Sequence, residues 1–397
     1  MLVNVERAQR LMEEEGLDGL VATTAPNVYY LSGLWSRSLF MWPGEAQVYA
    51  VAAGDRLSQR AVVASTGDMD TALECFPGVE IINYGPFNRY VAEGVQLTPE
   101  ETRLKELAID RHPRGDALEG LVAALEETGL TAGVIGLDER GINASYPGEL
   151  TNRLPKLEIR PASSLLTRIR MVKTPEEIKR LREAVRVTEK AILRAVGIAR
   201  EGVTEGDLAR EFDRALIDQG AEPLFTGLRV GRQSAFGQVR AGETPLRRGD
   251  RIWFDVGCRY QGYSSDIART FAFGDIGERA RRFYDAIFEG EEAGLAAIKA
   301  GVRADEVFRV TVDAVRKAGI PNFRRRMVGH GMGIWLYDPP MLAPGDETIL
   351  EEGMVLDIEP PYYELGTGAL AVEDTLVVTS GRPELLTSIS RKLEDVG

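Results

Sequence analysis

Three acidic residues of this chain stand inside runs that otherwise read as buried β-strands: Asp255 in IWFDVGC, Glu359 in MVLDIEP and Glu373 in LAVEDTLVV, each apolar and rich in β-branched residues. A bare carboxylate in such surroundings costs several kcal/mol or more. Asp266, eleven residues past the first, adds a fourth acid. Carboxylates gathered in one interior repel one another unless protons or cations neutralise them, so the fold must give these acids a common partner or give each its own. His330, flanked by glycines in GHGMG, adds an imidazole where backbone and substrate can approach closely. Four carboxylates and one imidazole nearly balance two divalent cations. Asp255, Asp266, His330, Glu359 and Glu373 are therefore a candidate two-metal ligand set. Singly, each has an ordinary alternative: Asp255 and Asp266 paired with arginine or capping a turn, Glu359 beside Pro360 as a strand end in solvent, His330 as a satisfied core histidine. The ordinary account needs five separate reasons where the metal site needs one.

The acids also come in pairs, and an internal duplication accounts for that. GVTEGDLAREFDRALIDQG from Gly202 and GVRADEVFRVTVDAVRKAG from Gly301 align without gaps at an offset of 99 residues. Identities fall at Gly202/Gly301, Val203/Val302, Arg210/Arg309, Ala215/Ala314 and Gly220/Gly319. Each copy is followed by a strand pair with two acids, Asp255 and Asp266 after the first, Glu359 and Glu373 after the second. Two pseudo-symmetric halves would bring all four to a shared central sheet.

At 397 residues the chain exceeds the usual size of a single core, so two domains are expected. The first part alternates helical and strand patterns: a helix from Val5 to near Gly16, strands in QVYAVAA, RAVVAS and LTAGVIGLDE, and helices in TPEETRLKELA and GDALEGLVAALEE. That alternation predicts an α/β layer domain. The pattern changes to long helices near Leu165, which places the boundary between domains 1–165 and 166–397. Thr174, Pro175 and Glu177 supply a capping residue, a first-turn proline and an acid that closes a capping box.

A net charge of -13 and a pI near 5.0 argue against nucleic acid as a partner. The short basic run Arg324 to Arg326 reads as a solvated turn. Cys75 and Cys258 form neither a disulfide framework nor a zinc motif, which fits a reducing cytoplasm. The N-terminus lacks the regions of a signal peptide and no apolar run approaches about 18 residues, so no membrane association is expected.

Taken in order, GLDGLVATTAPNVYYLSG, IRMVKTPEEIKRLREAV, GDRIWFDVGCRYQGYSSDIART, VGHGMG, GMVLDIEPPYY and AVEDTLVVT resemble the pita-bread metallopeptidases. The resemblance is to the branch containing prolidase and Xaa-Pro aminopeptidase, with creatinase as a metal-free relative, and it covers nearly the whole chain. It implies a creatinase-like α/β N-terminal domain followed by an α+β pita-bread domain with pseudo-twofold duplicated halves. It also implies that Asp255 and Asp266 bind one divalent ion, that Asp266 and Glu373 bridge to a second, and that His330 and Glu359 complete the second. Manganese is the first expectation, with cobalt, zinc or iron as alternatives. Two such ions about 4 Å apart activate water and polarise an amide carbonyl. By the same resemblance Glu359 relays the water's proton, the substrate is a short peptide or other small molecule, and the protein is a homodimer in which Trp35 either reaches a neighbouring active site or, as its ordinary alternative, is a core or interface aromatic.

The chain departs from that pattern where substrate is read. Gln238 takes the place of the first substrate-contacting histidine, Tyr337, in YDPP, takes that of the second, and Ala371 replaces the arginine expected two residues before Glu373. Besides His330 there is one other histidine, His112, in DRHPRGD. Gln238 and Tyr337 can donate hydrogen bonds but carry no positive charge near neutral pH. Losing such an electrostatic donor costs roughly 10² to 10³ in rate. Three readings follow: a divergent proline peptidase, which is preferred; a metal-dependent hydrolase or lyase for a small non-peptide; and a binding protein that kept the fold, disfavoured because all five ligands are present. Creatinase-type chemistry is disfavoured because it needs the histidine that Gln238 replaces. Glu359, Tyr337 and Gln238 are the candidate catalytic residues. Arg232 and Arg240 are candidate substrate contacts whose ordinary alternative is surface charge.

Overall fold

The computed structural model describes residues 2–397, which fall into two units, 2–170 and 171–397. Helix Ser163–Met171 carries the chain from the last strand of the first unit to the start of the second.

In the first unit, helix Val5–Glu15 begins where the Asn4 side chain accepts the Arg7 N–H and ends at Gly16 in a left-handed conformation. A mixed six-stranded sheet follows, with spatial order Val79–Tyr84, Gln59–Ser65, Tyr49–Ala53, Gly19–Ala22, Gly133–Leu137 and Leu157–Pro161. Helix Ala117–Glu127 packs Leu118, Leu121 and Leu125 against Val51, Val63 and Ile135 of that sheet. Asp138, at the end of the Gly133–Leu137 strand, is fully buried. Its carboxylate accepts from Thr24 Oγ1 (2.6 Å), Asn27 Nδ2 (2.7 Å) and Ser163 Oγ (2.6 Å). Burial pulls this carboxyl up, but the donors outweigh it and hold it below its ordinary range.

The second unit opens with helix Pro175–Val196. Its capping box forms as the sequence predicts, with Thr174 Oγ1 accepting from the Glu177 N–H (3.3 Å) and the Glu177 carboxylate from the Thr174 N–H (2.8 Å). Glu177 is buried, which pushes its carboxyl up to about 7 against the pull of these donors and of Tyr263 Oη.

The duplicated segments become helices Glu205–Ile217 and Ala304–Ala318. Their entries are hydrogen-bonded alike. The Gly202 N–H donates to the Leu246 carbonyl (2.9 Å) and the Leu246 N–H to the Val203 carbonyl (2.8 Å). In the second copy, Gly301 donates to Leu350 (2.8 Å) and Leu350 to Val302 (2.8 Å). Each copy leads into its own sheet. The first has the order Glu394–Asp395, Ile267–Phe273, Asp250–Tyr260, Glu222–Val230, and the second Asp338–Met341, Gly329–Gly331, Val355–Ile358, Asp374–Val377, Glu384–Leu385.

The sheets meet along one seam. The Glu373 N–H donates to the Ala268 carbonyl (3.0 Å), Thr375 Oγ1 to the Asp266 carbonyl (3.2 Å), and the Ala371 N–H to Thr270 Oγ1 (2.9 Å). Buried Arg269 clamps it further, donating to the Glu373 carbonyl and, at 2.6 Å, to Asp374. Among the described residues no helix is long and apolar enough to cross a membrane, and both cysteines carry free thiols.

Candidate metal centre

Strand alternation and the seam together decide which side chains converge. Asp255 projects from the middle of strand Asp250–Tyr260, and Asp266 immediately precedes its partner strand Ile267–Phe273. His330 is the central residue of strand Gly329–Gly331. Its flanking glycines answer to neighbouring backbone: a Cβ on Gly329 would collide with the Asp357 carbonyl oxygen, and one on Gly331 with that of Pro339. Glu359 and Glu373 do not lie inside strands as the apolar runs suggested. Glu359 follows strand Val355–Ile358 and Glu373 precedes strand Asp374–Val377, so both are presented at strand ends on the seam.

Asp266, His330 and Glu373 come together with a residue the sequence reading did not single out, Asp357. One ligand atom from each of these four buried residues lies within 4.8 Å of all the others. Nε2 of His330 is 3.7 Å from Oδ2 of Asp266, and Nδ1 is 4.0 Å from Oδ2 of Asp357 while it contacts the Gly331 carbonyl at 3.1 Å. Asp255 and Glu359 stand outside this tight group but close enough to act on it. Burial raises Asp255 well above the usual carboxylate range and the charges of Asp266 and Glu359 add to the rise. Burial likewise raises Glu373 strongly, helped by Asp266, Glu359, Asp357 and Asp255.

The donor set suits divalent cations. Asp266 Oδ1, His330 Nε2 and both carboxylate oxygens of Asp357 are buried without a hydrogen-bond partner among the described residues. Thr375, opposite Asp357 across the strand pair, donates its hydroxyl to the Asp266 carbonyl at 3.2 Å. Orphaned acceptors packed against one another are costly unless a cation or protons sit among them. Oxygen ligands with one imidazole match the harder divalent metals.

Beside the group lies a cleft of about 820 Å³ lined by Asp255, Asp266, Gln238, Arg240, Phe225 and Tyr337 among others. That volume accommodates a small molecule or short peptide. The Tyr337 ring stacks on His330 with centroids 3.9 Å apart. Burial, with the charges of Glu359 and Asp266 next, pushes its hydroxyl far up, so the phenol stays protonated. Gln238 and Arg240 are exposed on the cleft wall, whereas Arg232 is exposed and does not line it. His112 belongs to the first unit. Ala371 is buried with Trp253, Ala268 and Ala369.

Arg325, read with its neighbours as part of a solvated turn, has a side chain only 22% exposed, with its guanidinium 3.9 Å from Oε2 of Glu359 and over the Tyr363 ring at 5.7 Å. The run of three arginines resembles a solvated surface in sequence because Arg324 and Arg326 are indeed exposed; the middle one is drawn in by the acids.

Comparison with known proteins adds an independent line. Residues 179–380 match the model of metallopeptidase family M24, and residues 4–172 match the creatinase/prolidase N-terminal domain. An Xaa-Pro dipeptidase of Pyrococcus horikoshii is 30% identical over 264 residues, which cover 65% of this chain and 75% of that protein. Among solved structures, an Xaa-Pro dipeptidase from Bacillus anthracis superposes with a TM-score of 0.79 at 24% identity, covering 98% of each chain. An X-Pro aminopeptidase from Thermotoga maritima gives 0.78 at 21%, covering 98% of this chain and 99% of the other. Both structures share the pita-bread architecture anticipated from the motifs.

Proposed function

The chain belongs to metallopeptidase family M24 and is a metallohydrolase; from that premise we propose that it is a two-metal enzyme cleaving short peptides of the Xaa-Pro type. The observation that carries this reading is the pair of buried, unpartnered atoms on Asp266 and His330, grouped with Glu373 and Asp357 and bordering a cleft of about 820 Å³. In this reading Asp255, Asp266, His330, Glu359 and Glu373 hold two divalent ions, manganese first and cobalt, zinc or iron otherwise. When bound, such ions supply Lewis acidity at the scissile carbonyl and lower the pKa of a water.

The chain's own residues do the rest. Glu359, with 12% of its side chain exposed, takes the proton of the attacking water and returns it to the leaving nitrogen. Tyr337, held protonated against the His330 ring, donates a hydrogen bond to the developing oxyanion. Gln238, in the cleft lining, donates to the substrate's backbone. Arg325 supplies a permanent positive charge beside Glu359, in a site where Gln238 and Tyr337 supply none. We further infer a homodimer residing in the cytoplasm, a compartment that suits two unbridged cysteines.

A second reading, hydrolysis or lysis of a small non-peptide, is favoured by one observation: Gln238 and Tyr337, which stand in the cleft lining where the related peptidases are expected to carry histidines, are both neutral donors. Turnover of an Xaa-Pro dipeptide series by manganese-loaded protein, beside matched dipeptides without proline, separates the two. Cleavage confined to the proline series supports the peptidase. Full metal loading with no peptide cleaved rejects it in favour of the non-peptide enzyme.

A further inference from the structure

Asp357 has no part in the ligand set considered so far, yet it is among the most constrained acids of the molecule. It is fully buried, and neither carboxylate oxygen finds a hydrogen-bond partner among the described residues. It pairs directly with His330 across adjacent antiparallel strands, and the two side chains face each other with Nδ1 and Oδ2 4.0 Å apart. The opposite ring nitrogen, Nε2, is also unpartnered and points toward Asp266. Tyr337 covers one face of the ring.

An imidazole can offer only its unprotonated nitrogen to a cation, and the group facing the other nitrogen decides which one that is. Here both acceptors on the Nδ1 side, the Gly331 carbonyl and the Asp357 carboxylate, favour a proton on Nδ1. That leaves the Nε2 lone pair directed at the carboxylate group. A negative charge behind the ring also strengthens Nε2 as a donor. We propose that Asp357 is a positioning residue for the metal centre, fixing the tautomer and tilt of His330 so that Nε2 is presented to the cation. The proposal rests on the metal-centre reading above.

The test uses the full-length protein, wild type and Asp357→Asn, titrated with manganese. The variant should bind at least one manganese 10- to 100-fold more weakly, the usual effect of losing an outer partner of a ligating histidine. Its metal-free melting temperature should equal or exceed that of the wild type, because a neutral amide at this position places no acid beside Asp266 and Glu359 in the buried site. A merely structural role predicts the reverse, a lower metal-free melting temperature with unchanged manganese affinity, and would overturn the proposal. With two histidines in the chain, ¹⁵N-histidine spectra of the metal-free proteins resolve His330 cleanly. They should show the Nδ1–H tautomer in the wild type and a shift toward Nε2–H in the variant; identical His330 shifts would count against the proposal. A manganese-loaded crystal structure with an Asp357 oxygen directly on the metal would also overturn it. Wild-type protein that binds no manganese defeats the metal-centre reading and this inference together, whereas tight wild-type binding that the variant retains defeats the inference alone.

Discussion

Nε2 of His330 stands 3.7 Å from Oδ2 of Asp266, too far for a good hydrogen bond and close enough to share a cation. The two residues belong to different sheets, one from each duplicated half, so the centre exists only once both halves have folded against each other. Metal binding and folding of the second unit should therefore be linked.

That linkage has a sign. Burial and mutual repulsion raise Asp255, Asp266, Asp357 and Glu373 well above the carboxylate range in metal-free protein. A carboxyl raised on folding contributes stability that is present below its unfolded pKa, near 4, and lost as pH rises through the folded value. Metal-free protein should thus melt at lower temperature at pH 8 than at pH 6. Manganese at 100 times its dissociation constant should restore about 2.7 kcal/mol per site at the higher pH. Calorimetry with and without chelator checks this.

Asp138 should show the opposite slope. Its carboxyl is depressed by Ser163, Thr24 and Asn27, so its contribution is present above the unfolded pKa and lost as pH falls through the lower, folded one. Asp138→Ala leaves those buried donors without an acceptor and should cost the first unit at least about 1–3 kcal/mol at pH 7, with a smaller deficit in acid. Urea unfolding at several pH values measures it.

Tyr337→Phe keeps the ring stacked on His330 but removes the hydroxyl. Loss of a transition-state donor predicts a fall in kcat of roughly 10²-fold with little change in KM. A rise in KM with kcat unchanged would assign the hydroxyl to ground-state binding instead.

Arg325→Gln removes the guanidinium 3.9 Å from Glu359. In metal-free protein burial raises Glu359 and the charges of His330 and Arg325 oppose that rise, so the variant should be less stable than wild type at pH 8 and should recover in manganese. In turnover assays its KM should rise for substrates with a free carboxylate and change little for the corresponding amides.

Much of this was readable from residues alone, for physical reasons. The capping box at Thr174, the entry glycines Gly202 and Gly301, and the apolar strands around Asp255 are local patterns whose partners lie close in sequence or repeat at a fixed offset. Asp357 was missed although a signal existed. It lies two positions before Glu359 in the same apolar run, and strand alternation puts two such residues on one face. Its pairing with His330 depends on strand register, which the sequence does not display. Arg325 was missed because a run of like charges ordinarily marks solvent, and only the folded chain shows the acids beside it.

The central claim is that the buried carboxylates and His330 are a metal centre. Metal analysis of protein purified without chelator and reconstituted with manganese tests it most directly. The account predicts about two divalent ions per chain, falling to one or none in His330→Ala and Glu373→Gln. Protein that binds no divalent ion after reconstitution, with the fold intact by circular dichroism, would contradict it.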